Sequence, residues 1–277
     1  MTRFVRCMLV NLAILATVTS LPVCATSIVI DYKPDRVFLL ADSRAVDTDQ
    51  DGSSRIRDKC KIAVLSDRFA FAETGREGYT PNSPIDPVQK WNGIEEALSA
   101  YRQHLNADIR DIALSWGRSL AADFQSFYLV NPERVRSLTV ANGTLLVGLF
   151  VGADASRKIR VYRVRIAIDD SLRQREGAVI PVGYAVDALP PTSRPYFTDG
   201  ITQELFEGKT ERARTIGKEW SQRGQRMRLI DAQAFDLVHL EFLIEETGKF
   251  DDSVHGPVNI LSVSKRSVTW IQNKTCR

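Results

Sequence analysis

The sequence predicts an α+β chain folded as a four-layer αββα sandwich, with two antiparallel sheets packed face to face and helices on the outside. Three observations lead there. Apolar residues recur with period two near the start, in the middle and at the end of the chain, which is the spacing of half-buried strands. Two long blocks between them carry apolar residues three and four apart, the spacing of helices. The resulting order of strands, helices, strands, helices, strands lacks the strict alternation that builds a parallel doubly wound sheet.

Each element follows from its own residues. Ser27 to Asp31 and Arg36 to Ala41 alternate as strands, and Tyr32-Lys33-Pro34-Asp35 has the composition of a tight turn between them. A loop rich in Asp, Gly and Ser runs from Val46 to Asp58. Lys61 to Ser66 and Phe69 to Thr74 form a second hairpin around Asp67-Arg68 and stop at Gly75. From Ile94 to about Leu129, Leu98, Tyr101, Leu105, Ile109, Ile112 and Trp116 keep helical spacing, and Asn106-Ala107-Asp108 divides the block into two helices. Strands return at Thr144 to Val151, Lys158 to Ile168 and Ala178 to Val186, with turns at Asp154-Ala155-Ser156 and Asp169-Asp170. A second helical block, Tyr196 to Glu246, precedes closing strands at Val258 to Val263 and Ser267 to Ile271.

The first 25 residues have a different character. Arg3 and Arg6 are followed by an uncharged, mostly apolar stretch from Cys7 to about Val18, and Leu21-Pro22-Val23-Cys24-Ala25 places compact residues at the last and third-last positions. This is the plan of a secretory signal peptide cut after Ala25, so residues 26–277 are expected as a single periplasmic or secreted domain. An uncleaved anchor is the alternative, although about a dozen apolar residues fall short of the ~20 of a membrane span. Cleavage leaves 35 basic against 34 acidic residues, and a net charge of +1 gives no basis for a nucleic-acid partner. It also leaves Cys60 and Cys276, which either join in one disulfide or stay as two buried thiols.

Removal of Ala25 makes Thr26 the first residue. A threonine hydroxyl is a weak nucleophile, but a terminal α-amine with a reference pKa of ~7.7 to 8.0 can accept its proton near neutral pH. Such a site needs cationic character nearby, a carboxylate to hold that cation, and a backbone amide for the developing oxyanion. Lys61, Asp42 and Gly75 offer these three functions.

In sequence these residues form a pattern. Thr26-Ser27-Ile28-Val29, Ala41-Asp42-Ser43-Arg44-Ala45, Lys61-Ile62 and Gly75 resemble the opening of a proteasome β-type subunit, a member of the N-terminal nucleophile hydrolases. The spacings from Thr26 to Asp42 and from Lys61 to Gly75 match that family, while the 46–57 loop is slightly longer. Close similarity covers about 50 residues; beyond them the likeness is one of element order. Phe250-Asp251-Asp252-Ser253-Val254-His255-Gly256-Pro257-Val258-Asn259 resembles the segment that brings an Asp and a Ser beside the nucleophile. Asp251 matches the Asp, Val254 stands at the serine position beside Ser253, and Gly183-Tyr184-Ala185 stands where a second relay serine is usual.

The resemblance implies a threonine-type hydrolase of peptide or other amide bonds, using no cofactor and acting after export with no membrane partner. Ala45 and Glu73 would line the specificity pocket, with Glu73 favouring a basic or amine-bearing group; the alternative for Glu73 is a strand residue facing solvent. Homo-oligomeric rings are common in the family, and no oligomerisation pattern is visible in this chain. Two other functions fit the same residues: a noncatalytic binding or assembly module, suggested by Tyr184 and Val254, and an amidase for a small non-peptide amide.

No metal is expected at the catalytic centre. Asp47, Asp49, Asp51 and Asp58 approach a calcium-loop pattern, but Asp replaces the closing Glu and strands rather than helices flank them. His104, His239 and His255 lack any ligand spacing, and Trp91, Trp116, Trp220 and Trp270 are expected in the core.

Overall fold

The computed structural model describes residues 27–48, 54–75, 78–79, 91–139, 143–169, 181–198, 200–226, 232–249, 254, 256–274 and 276 of the 277. It is a mixed α and β structure with two five-stranded antiparallel sheets. The first sheet has the order β12-β1-β2-β13-β14, with β1 at Ile28–Tyr32, β2 at Arg36–Ala41, β12 at Tyr196–Phe197, β13 at Asn259–Ser264 and β14 at Val268–Gln272. The second has the order β11-β10-β9-β6-β5, with β5 at Ile62–Val64, β6 at Phe69–Gly75, β9 at Thr144–Ala153, β10 at Ile159–Ile168 and β11 at Val182–Leu189.

Alternation along the strands explains the layering. Ile28, Ile30, Val37, Leu39, Ala41 and Leu261 of the first sheet share a buried cluster with Ile62, Ala70, Ala72, Leu149 and Val151 of the second. The intervening residues face outward. Val29, Phe38, Leu40 and Ile260 pack beneath α4 (Gly200–Glu207), α5 (Glu211–Arg226) and α6 (Ala232–Thr247). Phe69, Phe71, Phe150 and Val164 pack beneath α1 (Gly93–Gln103), α2 (Ile109–Val130) and α3 (Pro132–Ser137). Each set of helices thus seals the outer side of one sheet. None of the described helices is long and apolar enough to cross a membrane.

The helix break expected at 106–108 has a local cause. Asn92 caps α1 by accepting from the amides of Ile94 and Glu95, and Asp108 caps α2 by accepting from the amide of Arg110. Trp116 Nε1 donates to the Gly93 carbonyl at 2.9 Å, which docks α2 against the start of α1. The second helical block begins with β12 and then divides into α4, α5 and α6.

The 46–58 segment departs from its expectation as a loop. Its described ends form an antiparallel ribbon of β3 (Arg44–Thr48) and β4 (Ser54–Asp58), paired from Arg44 with Asp58 to Thr48 with Ser54. The pairing was hidden in the sequence because Val46 and Ile56, opposite each other in register, form the one apolar pair among the five described pairs of the ribbon, the rest including charged or polar residues. A further short pair, β7 (Gly78–Tyr79) with β8 (Trp91–Asn92), precedes α1.

Cys60 and Cys276 form a disulfide across 216 residues, with Cα atoms 4.8 Å apart. The C-terminal segment that reaches it is also pinned. Gln272 Nε2 donates to the Val258 carbonyl at 2.7 Å, and the Lys274 amide donates to Asn259 Oδ1 at 2.9 Å.

His239 on α6 stacks on Trp220 of α5, with ring centroids 4.8 Å apart and planes 14° from parallel. Burial holds its pKa below the ordinary value, against a weaker pull upward from Asp236. The unfolded chain therefore takes up this proton near pH 6.5 more readily than the folded one. The associated stability is complete above that pH and is lost as pH falls through the lower folded value. Denaturant midpoints at pH 7 and pH 5 should differ less in His239→Phe than in the unaltered chain.

Candidate active site

Asp42 directly follows β2 and Lys61 directly precedes β5, so the two side chains come from different sheets and meet at one end of the shared core. Lys61 Nζ lies 3.2 and 3.1 Å from the two carboxylate oxygens of Asp42. Their side chains are 1% and 0% exposed, respectively. A pair this deep carries a large desolvation penalty, which close geometry and further hydrogen bonds must offset. Asp42 has those bonds. Its Oδ1 accepts from the Ser27 amide at 2.9 Å and its Oδ2 from the Arg44 amide at 3.2 Å, while its own amide donates to the Ser27 carbonyl at 3.2 Å. The carboxylate thereby ties the leading end of β1, the start of β3 and the ammonium of Lys61 to one point.

Gly75 ends β6 on the strand that neighbours Lys61. The Glu73 amide donates to the Lys61 carbonyl at 3.1 Å, and Gly75 follows two residues later. Its φ is +107°, and a Cβ there would lie 2.7 Å from the Leu145 carbonyl oxygen, so only glycine suits this strand end. Asp42, Lys61 and Gly75, far apart in sequence, are thus gathered at one end of the two sheets. Thr26 and Asp251 lie outside the described residues.

The resembling C-terminal segment reaches the same end. Asn259 pairs with Ala41, the residue before Asp42. Gly256, at φ +82°, lies so close that a Cβ would sit 2.6 Å from Ser43 Oγ and 2.8 Å from Asp58 Oδ1. Val254 is fully buried in the core beneath α4, α5 and α6, so the residue at the expected serine position is a packing residue. Ser253 and His255 are outside the described residues. Tyr184 sits on the far edge of its sheet, with β10, β9 and β6 between β11 and β5. At ~4.8 Å per strand spacing its backbone is about 19 Å from that of β5, and its ring lies against Gly117 of α2.

Ala45 is half-buried on β3, next to the Arg44 amide held by Asp42. Glu73 is fully buried, which removes the solvent-facing alternative. Its carboxylate occupies the space a side chain at Gly93 would take, since a Cβ there would fall 1.7 Å from Oε2. It is packed against the first residue of α1, where the helix dipole favours a negative charge. Of the calcium candidates, Asp47 and Asp58 occupy positions on opposite faces of the β3–β4 ribbon, because Asp58 is paired with Arg44, an odd number of residues from Asp47. Asp49 and Asp51 lie outside the described residues, and among the described residues no group of three or more His, Cys, Asp or Glu could hold a metal.

The structure adds residues that the sequence did not single out. Ser27 Oγ is 3.0 Å from Thr202 Oγ1 of α4, which is 2.7 Å from Thr247 Oγ1 of α6, and all three residues are fully buried. Separations of 175 and 45 residues left no pattern by which to find them. At the opposite end of the sheets, a cleft of about 570 Å³ opens between the β5–β6, α1–α2, β9–β10 and β13–β14 turns, and it contains none of the candidate residues. No protein-family model matches this chain, and no curated protein matches it in sequence at a significant level.

Proposed function

We propose that this protein is a threonine-type N-terminal nucleophile hydrolase of the proteasome β-subunit kind, cleaving peptide or other amide bonds with Thr26 exposed by removal of residues 1–25. The observation that carries the reading is the buried Asp42–Lys61 pair, whose carboxylate also holds the amide of Ser27. That amide nitrogen is bonded to the carbonyl carbon of Thr26, so the pair sits one peptide unit from the proposed nucleophile. The layered arrangement of two sheets between helices is compatible with this family's αββα sandwich.

In the proposed reaction Thr26 Oγ1 attacks the amide carbonyl carbon while the terminal amine of Thr26 takes the hydroxyl proton. The tetrahedral oxyanion is stabilised by the Gly75 amide, and the Lys61 ammonium keeps the terminal amine partly neutral. The amine then passes its proton to the leaving nitrogen, giving an ester on Thr26. Water, deprotonated by the same amine, cleaves that ester and releases the acid. Asp251 supports the proton path in this scheme, and Ala45 and Glu73 shape the substrate side. The enzyme would act in the periplasm or outside the cell, on short peptides or small amides, as a monomer or a homo-oligomer.

A second reading has its own observation. Val254, buried where the family places a relay serine, favours a noncatalytic module that keeps the sandwich for binding. A panel of fluorogenic peptides and small amides separates the alternatives. Hydrolysis that disappears in Thr26→Ala, with circular dichroism unchanged, supports the hydrolase. Equal rates in both proteins would refute it, and silence on every substrate would favour the binding module.

A further inference from the structure

Ser27 is held from two directions. Its amide donates to Asp42, while its hydroxyl meets Thr202 of α4, and Thr202 in turn meets Thr247 of α6. The direction of the chain is fixed by its last member. Thr247 Oγ1 donates to the Leu243 carbonyl at 2.9 Å, so its one proton is committed. The proton between Thr202 and Thr247 must then come from Thr202, and the one between Ser27 and Thr202 from Ser27. The hydroxyls therefore run Ser27 to Thr202 to Thr247 to a helix carbonyl, with every proton pointing away from the sheet. The next residue is tied to the same region, because the Ile28 amide donates to Thr198 Oγ1 at 2.8 Å.

Stability alone does not call for this chain. Burying a hydroxyl costs free energy unless it is paired, and replacing paired polar groups by apolar groups of the same shape is often nearly neutral. Val29, Leu205, Leu240 and Leu243 already join β1 to the helices by apolar packing. What the hydroxyls add is direction: they fix the rotation and depth of Ser27, the residue to which Thr26 is bonded. Displacement of a reacting group by about 1 Å costs on the order of 10²-fold in rate. We infer that Ser27, Thr202 and Thr247 are positioning residues that lock the leading end of β1, and that they set the placement of the nucleophile through the Ser27 backbone. The inference rests on the reading of Thr26 as that nucleophile.

The test uses Thr202→Val, which removes the hydroxyl while keeping side-chain shape, with Thr202→Ser as the conservative control. In the mature chain Thr202→Val should lower kcat on a peptide reporter by about 10- to 100-fold with KM changed less than about twofold, and Thr202→Ser should restore most of it. Independently of activity, amide hydrogen exchange at Ser27 and Ile28 should accelerate about tenfold or more in Thr202→Val. Unchanged exchange would overturn the tether, and faster exchange with unaltered kcat would overturn its role in positioning. If the unaltered protein hydrolyses nothing and captures no probe, the nucleophile reading fails, and the exchange arm alone then decides the tether.

Discussion

Lys61→Met is expected to destabilise the fold by about 3 to 5 kcal/mol and to lower amide hydrolysis by about 10²- to 10³-fold, because it leaves the Asp42 carboxylate buried beside an apolar side chain. Asp42 would keep the Ser27 and Arg44 amides as donors, so the chain should still fold in mild conditions. Asp42→Asn should destabilise by a similar amount for the opposite reason, an ammonium buried at 1% exposure beside a neutral amide. The informative variant is the double one. A neutral pair of similar volume carries no uncompensated charge, so Asp42→Asn with Lys61→Met should cost clearly less than the sum of the single changes. Its activity should not recover, because the proposed chemistry needs the ammonium while the fold does not. Urea titrations of the four proteins, run beside reporter hydrolysis, check both halves; additive losses of stability would show that the two groups do not interact as drawn.

Breaking the Cys60–Cys276 bond is the second large effect. The bond closes a loop across 216 residues, for which chain-entropy reasoning gives a contribution on the order of 5 kcal/mol. For a domain of this size that corresponds to a fall of about 10 °C or more in Tm. The position of the bond matters as much as its loop length. Cys60 adjoins Lys61, in the strand region of one sheet, while the chain leading to Cys276 is stitched to Val258 and Asn259 of the other. The covalent link thus spans the two sheets close to where Asp42 and Lys61 bridge them. Cys60→Ser with Cys276→Ser should unfold at lower denaturant, and its activity should decline at temperatures where the oxidised protein is still fully folded. Identical midpoints for the oxidised protein and the double variant would contradict this.

Much of the element order was legible because strand and helix periods differ so clearly. Val37, Leu39 and Ala41 alternate with Phe38 and Leu40, and those two sets do enter different cores. Ala213, Ile216 and Trp220 keep helical spacing on α5 and are all buried. The β3–β4 ribbon was not legible, since Val46 and Ile56 are too few to outweigh the surrounding charges. Strand neighbours were also hidden. Nothing local says that β13 enters beside β2, yet that pairing is what brings Gly256 against Ser43 and Asp58.

The candidate site was legible in part for a related reason. Asp42, Lys61 and Gly75 sit at strand ends, where a spacing in sequence converts directly into a place in space. The orientation of Glu73 was not, because it depends on Gly93 leaving room for a carboxylate at the start of α1. The union of Cys60 with Cys276 was open for the same reason, as was the hydroxyl chain through Thr202 and Thr247. Each joins elements whose proximity only the packed layers determine.

Everything proposed about chemistry depends on Thr26 being both the first residue and the reactive one. The most direct measurement is mass spectrometry of the exported protein after treatment with a β-lactone or epoxyketone, reading the N-terminal peptide and the site of any adduct. The account predicts a chain that begins at Thr26 and carries one adduct on that residue, lost in Lys61→Met. A chain beginning elsewhere, an adduct on another side chain, or a free Thr26 terminus that remains unmodified would contradict it.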